Sequence, residues 1–291
     1  MNTRILISLT IVSLFTATSA YAMSGPQAKQ LYRTAAYKGG VVDLAKLEAA
    51  AHSGDAEAEY YLAKFCHYDY GTAPGLVNNT KTFVWLQKSA AQGMVKAETE
   101  FGAAYYYGWG TQNNYVKAAY WWKKAANQGN TRAEYNLGRD YQKGMGVPNN
   151  YTKAAYWWKK AANQGVVPAE ENLGVAYNLG IGVPQSYAKA LDWFRGAIAE
   201  DSNVLAETHL ANAYYLGLGV QKNYAKAVYW WKKAASQGNK VAELLLAQAY
   251  YHGQGVPQDV TDAVKWWKRL AAQGGGLGKI AQHYLSIVEH G

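Results

Sequence analysis

The sequence predicts an all-α fold: a solenoid of about six stacked helix hairpins, closed by capping helices at its N- and C-terminal ends. Three observations predict it. The segment KAAYWWKKAANQG occurs identically at 117–129 and 153–165, and returns as KAVYWWKKAASQG ending at Gly238. Aligned on these ends, the chain divides into units 54–93, 94–129, 130–165, 166–201, 202–238 and 239–274, four of them 36 residues long. Inside every unit apolar residues recur at helical spacing, and glycines interrupt at fixed places.

The chain opens with a short basic start at Arg4, an apolar run from Ile5 to Phe15, and an Ala-x-Ala pattern at Ala20 and Ala22. That is the form of a secretory signal peptide over 1–22, with cleavage expected after Ala22 and a periplasmic or secreted destination. The run is too short for a comfortable bilayer span, and no later stretch is long enough, so no integral membrane segment is expected. The net charge of +9 becomes +8 once Arg4 leaves. With Cys66 the only cysteine, an intrachain disulfide framework is excluded. Stability must come from burial.

Residues 23–53 read as N-terminal capping helices. DLAKLEAAAHSG aligns with a second-type helix, placing Leu47 at the inner aromatic position and polar Lys46 at the seam, as befits a terminal repeat. Each internal unit then gives two helices. In RAEYNLGRDYQKG, Ala133, Leu137 and Tyr141 share one face, with Gly138 beside them to admit a neighbouring helix. Gly144 takes the left-handed position after the helix, and Pro148 prevents continuation. The second helix, NYTKAAYWWKKAANQ, ends at Gly165. On its equivalent in the preceding unit, Tyr115, Ala118, Trp122, Ala125 and Ala126 form one stripe, leaving Trp121 on the flank to meet a second neighbour. The flanking tryptophan recurs as Trp85, Trp121, Trp157, Trp193, Trp230 and Trp266; the inner position holds Leu86, Trp122, Trp158, Phe194, Trp231 and Trp267. A buried tryptophan removes about 150–250 Å² from water, roughly 4–6 kcal/mol before entropy is subtracted. The paired tryptophans are therefore read as core, not as a binding surface. Residues 275–291 supply a C-terminal capping helix.

The pattern carried by Ala133, Glu134, Leu137, Gly138, Tyr141, Gly144, Gly146, Val147, Pro148, Lys153, Ala154, Trp157, Lys160, Ala161, Ala162, Gln164 and Gly165 resembles the Sel-1-like repeat, a tetratricopeptide-like module. The resemblance covers 54–274. Individual units depart from it, with Thr111-Gln112 and Val220-Gln221 in place of Val-Pro. It implies a right-handed α/α superhelix whose first-type helices line a concave surface, and a role in holding other proteins. It also implies narrower alternatives: an immunity-type inhibitor of a toxic envelope-targeting enzyme, or a peptidoglycan-binding or hydrolytic envelope protein.

No catalytic set emerges. Cys66 takes the position of Tyr105, Tyr141, Tyr177, Tyr214 and Tyr250, which reads as a buried substitute. His52, His67, His209, His252, His283 and His290 are scattered without zinc-ligand spacing. No nucleophile elbow, phosphate loop or calcium loop is present. The chain reads as a non-enzyme without metal or cofactor. Lys123-Lys124, Lys159-Lys160 and Lys232-Lys233 read as solvated outer faces, and Glu170-Glu171 as helix-start carboxylates. Nucleic acid is not an expected partner; another protein is, bound by a monomer. Its contact zone falls on the first-type helices opposite the core: Glu100, Tyr106 and Tyr107; Asn136 and Arg139; Asn172 and Asn178; His209, Asn212 and Tyr215; Gln248 and Tyr251, with Ala103 and Thr208 on the same face. These vary between units while the core repeats, and mix tyrosines with amides as interfaces do. Tyr120, Tyr156 and Tyr229 point away from the core stripe as a second aromatic row.

Overall fold

The structure is a computed structural model that describes residues 23–38, 41–68, 78–200 and 203–290. The expected signal peptide and the extra residues around Pro74 lie outside that set. The described residues form helices and no strand: α1 (Gly25–Lys38), α2 (Val41–His52), α3 (Ala56–His67), α4 (Asn79–Ala91), α5 (Val95–Tyr107), α6 (Tyr115–Asn127), α7 (Thr131–Lys143), α8 (Tyr151–Ala162), α9 (Val167–Leu179), α10 (Tyr187–Glu200), α11 (Val204–Leu216), α12 (Tyr224–Ser236), α13 (Lys240–His252), α14 (Val260–Ala272) and α15 (Gly275–His290). The fold class is the expected all-α solenoid type. The helices group into two compact units, one ending at Asn130 and one beginning at Thr131. In each unit a helix packs against the one before it and the one after it.

Local chemistry sets the helix ends. Asn78, Asn114, Asn150 and Asn223, with Asp259, cap the second-type helices by accepting from the backbone N–H three residues on. First-type helices α5, α9, α11 and α13 stop at Gly108, Gly180, Gly217 and Gly253, each with φ between +67° and +76°. The next glycine of each turn does more. A Cβ on Gly110, Gly182, Gly219 or Gly255 would strike the backbone at Asn79, Tyr151, Tyr187 or Tyr224. The turn of one hairpin is thus nested against the start of the preceding hairpin's second helix. Backbone bonds such as Asn78 N–H to Cys66 C=O (2.8 Å) and Asn150 N–H to Tyr141 C=O (2.8 Å) close the turns. Only main-chain atoms are involved, which is why a buried cysteine serves where other repeats use tyrosine.

The tryptophan reading holds. The inner residues Leu86, Trp122, Trp158, Phe194, Trp231 and Trp267 are all buried. A Cβ on Gly102 would fall 2.6 Å from Trp122, and one on Gly138 2.5 Å from Trp158, so the ring lies directly on the glycine of its own hairpin's first helix. Flanking Trp230 and Trp266 each join two neighbouring apolar clusters, as a seam residue should. At the N-terminal end Leu47 is buried and Lys46 exposed, the latter within 3.9 Å of Asp43. Tyr115 departs from the expected stripe: it is exposed, although its ring still touches Tyr106.

The lysine reading needs correction. The first lysine of each pair stands in solvent, while the second is half-exposed. The second reaches back to a carboxylate buried in the same hairpin: Lys124 to Glu98 (2.7 Å), Lys160 to Glu134 (3.1 Å), Lys233 to Glu207 (2.7 Å), and Arg269 to Glu243 (3.0 Å). Those four glutamates have no exposed surface. The glutamine before each closing glycine donates to the other carboxylate oxygen, as Gln128 does to Glu98 (2.7 Å) and Gln164 to Glu134 (2.8 Å). The same cations lie over the flanking rings, Lys124 5.0 Å from Trp121 and Lys160 4.9 Å from Trp157. Four hairpins, the second, third, fifth and sixth, are therefore each locked by one ion pair, one amide and one stacked cation. The fourth repeat lacks this lock, because Gly196 occupies the cation position. Glu170 is buried there as well, not a solvated helix-start charge.

Two stability predictions follow from these contacts. Gly182→Ala meets both the left-handed backbone and the Tyr151 carbonyl, so it should cost at least about 2 kcal/mol; Gly238→Ala, with open space around it, should cost about 1 kcal/mol. Urea denaturation of the two variants compares them directly. Lys160→Met strands the Glu134 carboxylate and should cost about 2–3 kcal/mol, most of it recovered when Glu134→Gln is added; thermal melts of the single and double variants check this.

Candidate functional site

In the second unit the positions three, six and nine residues beyond the buried alanine of each first-type helix form one half-buried face. On α7 these are Asn136, Arg139 and Gln142; on α9 Asn172, Val175 and Asn178. On α11 they are His209, Asn212 and Tyr215, and on α13 Leu245, Gln248 and Tyr251. Two bonds tie this face to the next first-type helix or its turn: Tyr215 Oη donates to Gln254 Oε1 in the turn after α13 (3.0 Å), and Gln248 Nε2 donates to Tyr284 Oη on α15 (2.8 Å). The Arg139 guanidinium lies 5.9 Å from the Tyr135 ring centroid.

Several of the expected contact residues are committed to packing. His209 stacks flat on Phe194, 4.8 Å apart and 7° from parallel, and burial holds its imidazole below the usual histidine range. Asn212 accepts the indole N–H of Trp231 (2.9 Å). The rings of Tyr106, Tyr215 and Tyr251 rest on Trp122, Trp231 and Trp267. Ala103 and Thr208 are buried outright. The reason is geometric: the outward side of a first-type helix is half covered by the aromatic layer of its own hairpin's second helix, as at Tyr106, Asn212, Tyr215 and Tyr251, or by that of the preceding hairpin, as at His209. Asn136, Arg139 and Asn172 remain as the accessible polar part of the second unit's face, and Tyr107 is the most exposed aromatic of the set. Outside it, Tyr120, Tyr156 and Tyr229 stand in solvent, each edge-on to its neighbouring tryptophan.

Asp140 was not singled out by its sequence pattern. It occupies the position of Ala104, Ala176, Ala213 and Ala249, is buried, and has its Oδ2 unpaired. Burial pushes its carboxyl up to about 7, against the weaker pull of Arg139 and Lys143.

The first unit holds a different feature. A small cavity is lined by Ala63, Lys64, His67, Tyr68, Thr82, Leu86, Glu100 and Trp109. The His67 ring lies 4.1 Å from the Trp109 ring, and Tyr107 stacks on Trp109 at 5.5 Å and 18°. Of these aromatics the sequence reading had named only Tyr107 as a contact residue. The missed signal was departure from the repeat: Trp109 stands where other units have Met145, Ile181, Leu218 and Gln254.

The Sel1 repeat model matches residues 56–94, 96–130, 131–166, 167–202, 204–239 and 240–275. No curated protein matches the chain. Among solved structures, the chain is similar to a protective antigen present in uropathogenic Escherichia coli strains displaying an SLR fold, at 34% identity and a TM-score of 0.76. That alignment covers 84% of this chain and 51% of the antigen, so the chain spans about half of that protein. A Sel1 repeat protein from Oxalobacter formigenes aligns at 31% identity and a TM-score of 0.63, covering 72% of this chain and 90% of that one. An immunity protein from Pseudomonas aeruginosa aligns more loosely, at 22% identity and a TM-score of 0.40, covering 75% and 82%.

Asp140 generates a pH prediction. Its folded carboxyl titrates above the ordinary aspartate value of 3.8, so the folded state holds the proton more tightly than the unfolded state. The stability it lends is present at low pH and is lost as pH rises from about 4 through about 7. Asp140→Ala should remove that slope. Relative to the parent, the variant should gain up to about 4 kcal/mol between pH 4 and pH 8.5 in urea titrations.

Proposed function

The chain belongs to the Sel1 repeat family, and from that premise we propose that it is an exported, non-catalytic scaffold, an adaptor or regulator that holds an envelope or secreted partner protein. The contact lies on the half-buried face of its first-type helices. One observation carries this reading. Packing fixes Ala133, Ala169, Ala206 and Ala242, and likewise Leu137, Leu173, Leu210 and Leu246, in successive hairpins. On the same helices the face positions change from Asn136 to Asn172, His209 and Leu245. Where that face is not taken up by packing, at Asn136, Arg139 and Asn172, residues that vary on an invariant frame are not chosen by the fold. The leader-like residues 1–22 support export, and no helix among the described residues is long and apolar enough to cross a membrane.

The test uses the accessible polar residues and spares those packed on tryptophans. Affinity capture from an envelope extract with the parent chain should recover a partner that the Asn136→Ala, Arg139→Ala, Asn172→Ala triple variant recovers at least about tenfold less well. Equal recovery by a variant with an unchanged melting profile overturns the assignment of the contact to this face.

A further inference from the structure

We propose that the aromatic cavity of the first unit is a binding site for a neutral sugar ring, laid on the exposed Tyr107 ring that Trp109 holds in place, with one hydroxyl directed into the cavity. It is separate from the face assigned to protein binding in the second unit. The residues that build it are not those the fold requires. Tyr68 and Tyr107 occupy the position held by Lys143, Leu179, Leu216 and His252 in other repeats, while His67 stands where the others have Tyr106, Gln142, Asn178, Tyr215 and Tyr251. At the positions of Tyr68, Tyr107 and Trp109 the third to sixth repeats pack with no tyrosine or tryptophan, so these three aromatics need a reason other than packing.

Geometry limits the ligand. The cavity has room for about one water-sized group, so no ring enters it. The ligand must lie across the rim, where Tyr68 is 47% and Tyr107 56% exposed, and send a single small polar group inward. Inside, His67 Nδ1 is buried without a hydrogen-bond partner, an arrangement that costs free energy until something pairs with it. A hydroxyl can donate or accept, and so suits either tautomer of the ring.

Charge narrows the class further. Lys64 already lies over aromatic faces, 5.4 Å from the Tyr32 ring and 5.9 Å from Tyr68, so a cationic ligand meets a cation. Glu100 lines the same cavity and opposes an anion. Both side chains accommodate hydroxyls. The remaining requirement is a flat face of weakly positive C–H bonds to meet the negative faces of the rings, which a pyranose supplies.

The test is titration of the full chain, followed by tryptophan emission and calorimetry, with cellotetraose, maltotetraose and chitotetraose; choline, inorganic phosphate and N-acetyltryptophanamide serve as controls. At least one oligosaccharide should bind. Tyr107→Ser and Trp109→Ala should each weaken it about tenfold or more, and His67→Phe, which keeps the ring and removes the nitrogen, by a similar factor. Tyr107 is largely exposed, so its variant should fold as the parent does, leaving the result readable if Trp109→Ala does not. Absence of binding by all three sugars, binding unaffected by Tyr107→Ser, or binding of choline, phosphate or the indole compound alone overturns the proposal.

Discussion

The contact on which the rest of each hairpin depends is an aromatic ring laid on a residue with little or no side chain. Trp122 lies on Gly102, Trp158 on Gly138 and Phe194 on Gly174, with a would-be Cβ 2.5–2.6 Å from ring carbons. Removing the side chain from one helix lets the other approach until the ring fills the whole gap, which maximises dispersion contact and leaves no void. Once the two helices are that close, the glutamate preceding the leucine layer falls within reach of the lysine and glutamine on the partner helix. The polar lock is a consequence of the aromatic contact. Where the small residue becomes Ala211, the ring has a new polar partner, and Trp231 donates to Asn212 rather than to a main-chain carbonyl as Trp122 does to Thr99 (3.0 Å).

This hierarchy explains which parts of the molecule were legible in its sequence. Period, helix ends, the inner aromatic position and the terminal role of Leu47 all follow from apolar spacing and glycine placement. The buried glutamates were missed because a charged residue is ordinarily assigned to solvent. Glu134 is one residue from Ala133, inside the arc bounded by Leu137 and Gly138, so its angle was informative. Its recurrence was informative too: Glu98, Glu134, Glu207 and Glu243 are each followed 26 residues later by a cation and 30 residues later by a glutamine.

The face residues show the complementary failure. Angles on a single helix separate core from non-core, but they do not tell how far the partner helix and the preceding hairpin cover the remainder. His209 and Asn212 lie on the expected side and are nonetheless occupied, one by Phe194 and the other by Trp231. Trp109 was missed for a different reason. It sits in a turn, where helical periodicity carries no information, and only comparison between repeats marks it as unusual.

The polar lock closes within a hairpin: Lys160 and Gln164 satisfy Glu134 of the same repeat. What passes between the described hairpins of each unit is largely apolar surface and backbone shape. A gene segment encoding one such hairpin can therefore be copied, lost or exchanged without stranding its locked glutamate. The letter-for-letter identity of 117–129 and 153–165 is what recent copying of such a self-balanced cassette would leave behind. Arrays built this way can change length by whole modules while their ligand-facing residues diverge at leisure.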